Sequence, residues 1–382
     1  MISALHIAGY RSLKDIAFEL GPLTVVTGPN GAGKSNVFRA LALLKSAALG
    51  RFSEALAQEG GMPAVLFAGP ETLDRERARA GIVEGGPRQH RNQLLLGIAF
   101  DDFRYELVVG LPPQAPGDPD PFVQDPDVKN EAIWSGKRRP SSILVHRKAG
   151  VVSDGNAAVR SPRPVLEPNE SLLWQLSDAA RFPEVAAMRA RLSRLRLHHG
   201  FATEANGPAR QVSVGFRSPV LADDGANLAA ALATIAYLGN GDALDEAIDL
   251  AFPGARVRIK RDDEGRFVLR WHQHGLLRPL GVAELSDGTL RYLCLLAALH
   301  SPRPPEVLAI NEPELSLYPE LLRPLASQFR RAAKQMQVIV VSHAESLINS
   351  LEDSGEATSV FLTREFGATV VQGQTLLARP EV

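Results

Sequence analysis

Apolar and polar positions alternate through the first twenty residues, in "ALHIAGY" and "KDIAFEL", with the period of half-buried strands. A short apolar run, "PLTVVT", follows and passes into a glycine-rich turn. The pattern then lengthens to helical spacing in "SNVFRALALLKSAAL", with Val37, Leu41 and Leu44 on one face. Strand periodicity returns in "NQLLLGIAF", "FRYELVVGL", "AIWSG" and "SSILVHRKAG", and "NESLLWQL" reads as a helix start. From about 178 to 255 the pattern is mainly helical, in "EVAAMRARLSRLRL", "NLAAALATIAYL" and "GDALDEAIDLAF". "ARVRIKRDDEGRFVLRWHQHG" predicts a hairpin turning at Asp263, Glu264 and Gly265. The last third predicts a helix in "TLRYLCLLAALH", buried strands in "EVLAI" and "QVIVVS", and a closing hairpin in "SVFLTREFGATVV". Strands alternating with helices predict an α/β layered fold with antiparallel additions.

Two stretches break the periodicity. "GPETLDRERARAGIVEGGPRQ" reads as exposed, mobile connection. Residues 111–127 hold six prolines, too many for a helix or an inner strand, and read as a surface loop within the first lobe. No heptad pattern runs long enough to encode a coiled-coil arm. Composition sets the remaining bounds. A chain of 382 residues, 45% hydrophobic, is ample for a buried core. The formal net charge of −1 supplies no global field for nucleic acid, which leaves only local basic patches. The single cysteine, Cys294, excludes an internal disulfide framework and sits in an apolar run that predicts a buried thiol. The first residues lack the basic start and apolar core of a signal peptide, and no apolar run approaches the ~18 residues that span a bilayer. A soluble, cytoplasmic protein without membrane contact is the expectation.

"GPNGAGKS" (28–35) fits G-x-x-x-x-G-K-[ST] in full, between an apolar strand and an amphipathic helix, which is the context that motif requires. Its glycines let backbone N–H groups wrap phosphates at a helix N-terminus. Lys34 would reach the β and γ phosphates of ATP, and Ser35 would ligate Mg²⁺. Farther on come "ELSDGTLRYLCLL", with Ser286 and Gly288 at a helix start, then "EVLAINEPELSLYPE", then "VIVVSH" ending at His343. A phosphate loop followed by Ser-x-Gly, an acidic strand end and a strand-end histidine resembles the ABC ATPase head. "GYRSL", with Tyr10, Arg11 and Ser12, and the roughly 250 residues between Lys34 and Ser286 narrow the resemblance to the RecF/SMC/OLD-like predicted ATPases.

That resemblance implies a P-loop NTPase of ABC-ATPase head type, with a mixed central sheet, an antiparallel β-subdomain and a helical lid. It divides the chain into lobe I (1–175), a helical lid insertion with a hairpin (176–282) and lobe II (283–382), and implies a stand-alone head without long coiled coil or Toprim domain. The family's roles pass to matching positions here. Gly28, Asn30, Gly31, Gly33, Lys34, Ser35 and Asn36 would bind phosphate, with Ser35 also on the metal. Ser286 and Gly288 would touch the γ-phosphate of a nucleotide held by a second copy, so a head-to-tail homodimer closing over ATP is implied. Glu312 would orient and deprotonate the attacking water, and His343 would contact the γ-phosphate. Gln175 would sense Mg²⁺ from the switch loop, and Arg11 would meet the phosphates or the adenine, with a plain surface arginine as the alternative. The usual settings of such heads are DNA maintenance, repair and anti-phage defence, which makes DNA and a separately encoded effector protein the partners to consider.

Two letters depart from the family pattern. Tyr318 stands where relatives often carry histidine near the dimer seam. Asn311 replaces the aspartate that reaches Mg²⁺ through water, keeping an acceptor oxygen and losing a charge. At an effective dielectric near 20 that charge is worth roughly 1–3 kcal/mol of attraction to the metal. With Glu312 retained, the expectation is a slow but hydrolysing ATPase; a non-hydrolysing, ATP-gated scaffold is the alternative. Outside these motifs, Arg189, Arg191, Arg194 and Arg196 on a presumed lid helix, "KRR" (137–139) and "RVRIKR" (256–261) form either a DNA track or a solvated, salt-bridged surface. His272 and His274 share a strand face without a third metal ligand nearby in sequence.

Overall fold

The alternating opening folds as β1 (Ile2–Tyr10) and β2 (Leu13–Glu19), and the apolar run after it as β3 (Leu23–Thr27). Next come α1 (Lys34–Ala48), α2 (Phe52–Gln58), α3 (Met62–Val65), β4 (Gln93–Phe100), β5 (Arg104–Gly110), β6 (Asp127–Trp134), β7 (Ile143–Lys148) and β8 (Val151–Asp154). The chain continues through α4 (Leu172–Gln175), α5 (Pro183–Ser193), β9 (Arg196–His198), β10 (Ser213–Val214), α6 (Leu228–Leu238) and α7 (Gly241–Ala251). Then follow β11 (Ala255–Arg261), β12 (Arg266–Gln273), β13 (Leu280–Gly281) and α8 (Asp287–Leu299). The last elements are β14 (Val307–Asn311), α9 (Leu322–Ala333), β15 (Gln337–Val341), α10 (Glu345–Glu352), β16 (Ala357–Glu365) and β17 (Ala368–Val371). This computed structural model describes residues 1–69, 93–113, 121–154, 165–353 and 355–373. The expected mobile connection at 69–89 lies, beyond its first residue, outside the described residues, as do positions 114–120 of the proline-rich stretch.

Two units emerge from the backbone. The first comprises Met1–Gly21, Gly28–Leu195 and the chain from Val360 on. Its frame is a seven-stranded antiparallel sheet in the order β2-β1-β4-β5-β6-β7-β8. The period-2 pattern sets the register. Leu5 pairs with Phe18 and Ile7 with Ile16, all buried, so one face of the β1–β2 ladder is apolar. Helix α1 packs on β1 and beside α2, α4 and α5, burying Val37, Leu41 and Leu44 as its spacing predicts. The β16–β17 hairpin brings β17 against β2.

The second unit, Pro22–Thr27 with Arg196–Ser359, is built on parallel strands in the order β3-β15-β14-β9. Strands β3, β14 and β15 are buried at every position, which is why they read as unbroken apolar runs. Around the apolar helix α8 lies the core of this unit, with Phe329 of α9, Leu347 of α10, Leu232 of α6, Ile248 of α7 and Trp271 of β12. Cys294 is buried there, and burial raises its thiol pKa well above the ordinary range, so it is an inert core side chain. The β11–β12 hairpin turns where predicted, with Gly265 at φ 79, and joins β10 and β13 in a four-stranded antiparallel sheet.

One expectation is corrected. The basic stretch after 183 is not a single helix: α5 ends at Ser193, Arg194 caps it and Arg196 opens β9. The parallel sheet claims "RLH" as a strand because β14 offers Leu308, Ala309 and Ile310 as partners, and tertiary pairing outweighs helix propensity over three residues. Only Arg189 and Arg191 remain on the helix, and Arg191 is tied to Asp102 and lies over the Phe100 ring.

Candidate nucleotide site

Strand β3 leads straight into the phosphate loop. Lys34 is the first residue of α1, buried, and its Nζ donates to the carbonyls of Gly28 (2.6 Å) and Pro29 (3.0 Å) across the loop. Asn30 and Gly31 are exposed, while Ser35 and Asn36 are half-buried in the first turn. Gly33 caps α1 with φ 102, a left-handed conformation that costs only glycine nothing. A Cβ there would lie 2.3 Å from Thr369 Oγ1 and 2.8 Å from Ser12 Oγ. No side chain caps this helix and no acid occupies its first turn, which suits an anion at its N-terminus, although the Asn36 amide already donates to the Gly33 carbonyl (3.0 Å).

A polar latch behind the loop holds it in shape. Thr369 Oγ1 donates to the Ala32 carbonyl (2.7 Å) and accepts from Ser12 Oγ (2.8 Å), which in turn accepts from Asn36 Nδ2 (3.0 Å). The Thr369 amide also donates to the Ser12 carbonyl (2.7 Å). Ser12 thus braces the loop. Its neighbour Arg11, at φ 48, turns elsewhere: Nε and Nη2 donate to Glu59 Oε2 at 3.0 and 2.6 Å, and the Tyr10 hydroxyl donates to the same oxygen at 2.7 Å. Burial and the Glu59 charge raise the Tyr10 hydroxyl pKa. Neither Glu59 nor Thr369 could be picked from the sequence, since nothing local marks a lone partner 48 or 357 residues from the motif it serves.

Gln175 closes α4. Its Nε2 donates to the carbonyls of Glu167 (3.1 Å) and Glu170 (2.8 Å), and its Oε1 accepts from the Glu167 amide (2.8 Å). Those two carbonyls also accept from the buried Arg147 guanidinium, at 2.5 and 2.6 Å. Arg147 lies 3.5 Å from Glu131, whose carboxylate accepts from Tyr105 (2.6 Å), Ser171 (2.5 Å) and the Leu172 amide (2.9 Å). Burial raises the pKa of Glu131 and lowers that of Arg147. Both are completely buried, so this network anchors the 167–175 loop from within the first unit.

In the second unit, β14 and β15 end side by side, with Asn311 paired to Val341. Asn311 is 2% exposed; its Nδ2 lies 3.2 Å from His199 Nδ1, and its Oδ1 is buried without a partner among the described residues. Glu312 follows at φ 49, strained for a non-glycine residue, with its amide on the Val341 carbonyl (2.8 Å) and its side chain half-buried. His343 follows β15 and is 45% exposed. Between them stands Glu314, which the motif reading passed over although it lies two residues after Glu312 in "NEPEL". The helix α8 begins at Ser286, whose Oγ caps it by accepting from the Thr289 amide (3.1 Å). Gly288 is required by proximity, since a Cβ there would lie 2.5 Å from the Ser316 carbonyl. Tyr318 is exposed, and Arg291 of α8 is 6% exposed, its Nη2 3.5 Å from the Glu312 carbonyl and its pKa lowered by burial.

The residues present suit a nucleotide and its metal. In the first unit the loop turns a lysine onto its own carbonyls at the start of a helix that no side chain caps; in the second, Asn311 carries a buried oxygen with no partner among the described residues. His272 and His274 belong to no cluster of three potential metal ligands among the described residues. No helix among those residues is long and apolar enough to cross a membrane.

Comparison with known proteins gives a family and a fold. Residues 23–110 and 117–349 match the family described as "AAA domain, putative AbiEii toxin, Type IV TA system". A stretch of 44 residues is 48% identical to an OLD nuclease of Thermus scotoductus, covering 12% of this chain and 8% of that nuclease. Among solved structures, an SMC head bound to the C-winged helix domain of ScpA matches with a TM-score of 0.57 at 12% identity, over 98% of each chain. The SMC head domain with an extended coiled coil from Pyrococcus furiosus matches at 0.52 and 11%, over 97% of this chain and 95% of that one. The SMC head domain from Thermotoga maritima matches at 0.50 and 13%, over 98% and 99%. At such identities the likeness is one of fold: an α/β ABC-type head with mixed sheets.

Proposed function

The chain belongs to this AAA-domain family, and from that membership we propose that it binds ATP and hydrolyses it as a head-to-tail homodimer. The reading rests above all on one conjunction. A complete phosphate loop leaves β3, while β14 and β15 of the same parallel sheet end at Asn311–Glu312 and just before His343. Ligands of open α/β sheets bind at such carboxyl ends.

In this reading the amides of Gly28, Asn30, Gly31 and Gly33 receive the phosphates, Asn36 braces the loop through the Gly33 carbonyl and Ser12, and Lys34 exchanges its two loop carbonyls for phosphate oxygens. Ser35 and Asn311 would hold Mg²⁺, which would supply neutralisation of phosphate charge. Gln175 joins that set only by leaving the carbonyls of Glu167 and Glu170. Glu312 orients the attacking water and takes its proton. Ser286 and Gly288 serve the nucleotide of the second copy, and the exposed Tyr318 lies near the seam. Arg11, engaged with Glu59, acts through the Tyr10–Ser12 turn rather than on phosphate. The test is phosphate release by wild type, Lys34→Ala and Glu312→Gln. Loss of nucleotide binding in the first variant and at least hundredfold slower turnover with retained binding in the second are expected. Unchanged turnover in Glu312→Gln would remove the catalytic assignment.

DNA is the proposed macromolecular partner, in maintenance or anti-phage defence, and the sheet around β11 supports it. Arg256, Arg258 and Lys260 alternate outward on β11, opposite His272, Arg270 and Val268, while Val257 and Trp271 enter the core. Arg258 faces Arg270 across the ladder, but Asp245 pairs with Arg258 and Glu284 lies near Arg270, so Arg256 and Lys260 are exposed cations of β11 offered to a phosphate backbone. ATPase rates with single-stranded, double-stranded and no DNA test this part, and equal rates with unchanged dimerisation would remove it. A non-hydrolysing, ATP-gated scaffold that recruits a separate effector is the second reading. It is favoured by one observation, the missing carboxylate at Asn311.

A further inference from the structure

Glu314 has no role in the readings above, yet it is the most heavily engaged side chain of the β14 turn. It is 9% exposed. Its Oε1 accepts from the Ser342 hydroxyl (2.8 Å), the His343 amide (2.9 Å) and the Ala344 amide (3.3 Å), and lies 3.2 Å from His343 Nδ1. Two successive amides and a hydroxyl converging on one oxygen make an anion nest in the backbone that carries the histidine. The Ser342 hydroxyl also accepts from the Ala344 amide (3.1 Å), which closes the turn on itself.

The arrangement has a definite mechanical sense. Ser342 and the two amides anchor the carboxylate whatever the imidazole does, so the ring is the only half-exposed member of the group. With Nδ1 toward Glu314, Nε2 is the nitrogen turned away from it and available to a ligand. Carboxylates that orient a functional histidine through its inner nitrogen are a recurrent device in sites where imidazole geometry matters. A cap for the 342–344 turn alone would need one carboxylate oxygen bonded to amides; it would not need the ring contact or a second oxygen, Oε2, buried without a partner among the described residues. Burying a carboxylate with half its acceptors unused costs stability, which a purely structural cap would shed by carrying glutamine.

We propose that Glu314 is the positioning residue of the switch histidine: it holds the 342–344 turn and the His343 ring in the one orientation that presents Nε2 to the γ-phosphate. This rests on the reading of His343 as the phosphate-contacting residue. Glu314 acts through His343 and does not itself touch nucleotide, so its loss is felt in kcat and not in ATP affinity.

The experiment is a double-mutant cycle on the full chain, measuring kcat and KM for ATP in Glu314→Ala, His343→Ala and the double variant, with Glu314→Gln beside them. Glu314→Ala is expected to lower kcat about tenfold or more with KM within about threefold of wild type, and the double variant to be no slower than His343→Ala alone. Glu314→Gln keeps an acceptor oxygen for the turn and is expected to fall between wild type and Glu314→Ala; it carries the cycle if the alanine variant does not fold. Independent, multiplying effects of the two positions would overturn the inference, as would full turnover in the Glu314 variants beside an impaired His343→Ala. Full turnover in His343→Ala would instead overturn the switch-histidine reading, and this inference with it.

Discussion

Single residues decide most of the chemistry, and Asn311 is the sharpest case. Its side-chain oxygen is buried and has no partner among the described residues, while its nitrogen is held near His199. Restoring the charge in Asn311→Asp should lower the Mg²⁺ concentration for half-maximal turnover about tenfold, the equivalent of roughly 1.4 kcal/mol of metal attraction. A magnesium titration of phosphate release reads it directly. Unchanged magnesium dependence would mean that position 311 does not serve the metal. Phosphate-loop residues were legible in the sequence because their spacing is itself the mechanism. Glu59, Thr369 and Arg291 were not, since they reach the motifs only through the fold, and Glu314 was in plain view but lacked a pattern to give it a role.

At the scale of elements, period and burial explain what was readable. The unbroken apolar strands β3, β14 and β15, the β11–β12 hairpin and the β16–β17 hairpin all follow from local pattern. β9 did not, because three residues carry no period and the partner strand lies more than a hundred residues away. The start of α8 depends on a close approach that a motif records only as a single letter: Gly288→Ala would drive a methyl to 2.5 Å from the Ser316 carbonyl. We expect it to destabilise the chain by about 1–3 kcal/mol in chemical denaturation. The 167–175 loop depends on Arg147 in the same sense. Arg147→Met leaves the buried Glu131 without its cation and should cost about 3–5 kcal/mol, read as a lowered unfolding midpoint.

At the scale of the molecule, pH couples to stability through a half-buried histidine at the far end of the helix that Ser286 begins. His300 ends α8, its Nε2 3.0 Å from Gln328 Oε1, and burial pushes its pKa down to about 4 from an ordinary 6.5. The unfolded chain therefore takes up this proton at a higher pH than the folded one. The stabilisation is complete above pH 6.5 and is lost as pH falls from there to about 4, by roughly 3 kcal/mol in all. Denaturation midpoints across that range should fall with acidity in wild type and flatten in His300→Gln. A fold legible as an α/β head did not disclose this, because His300 looks in the sequence like the polar end of a helix.

The double service of two carbonyls near Gln175 has an energetic consequence. The oxygens of Glu167 and Glu170 each receive both the glutamine amide and the Arg147 guanidinium. If the glutamine is withdrawn, neither oxygen is stranded, and only the Glu167 amide loses its acceptor. Release then costs on the order of 1 kcal/mol where three broken hydrogen bonds would suggest about three times that. Arg147 keeps both carbonyls when the glutamine leaves, so a modest gain elsewhere is enough to draw the Gln175 side chain away.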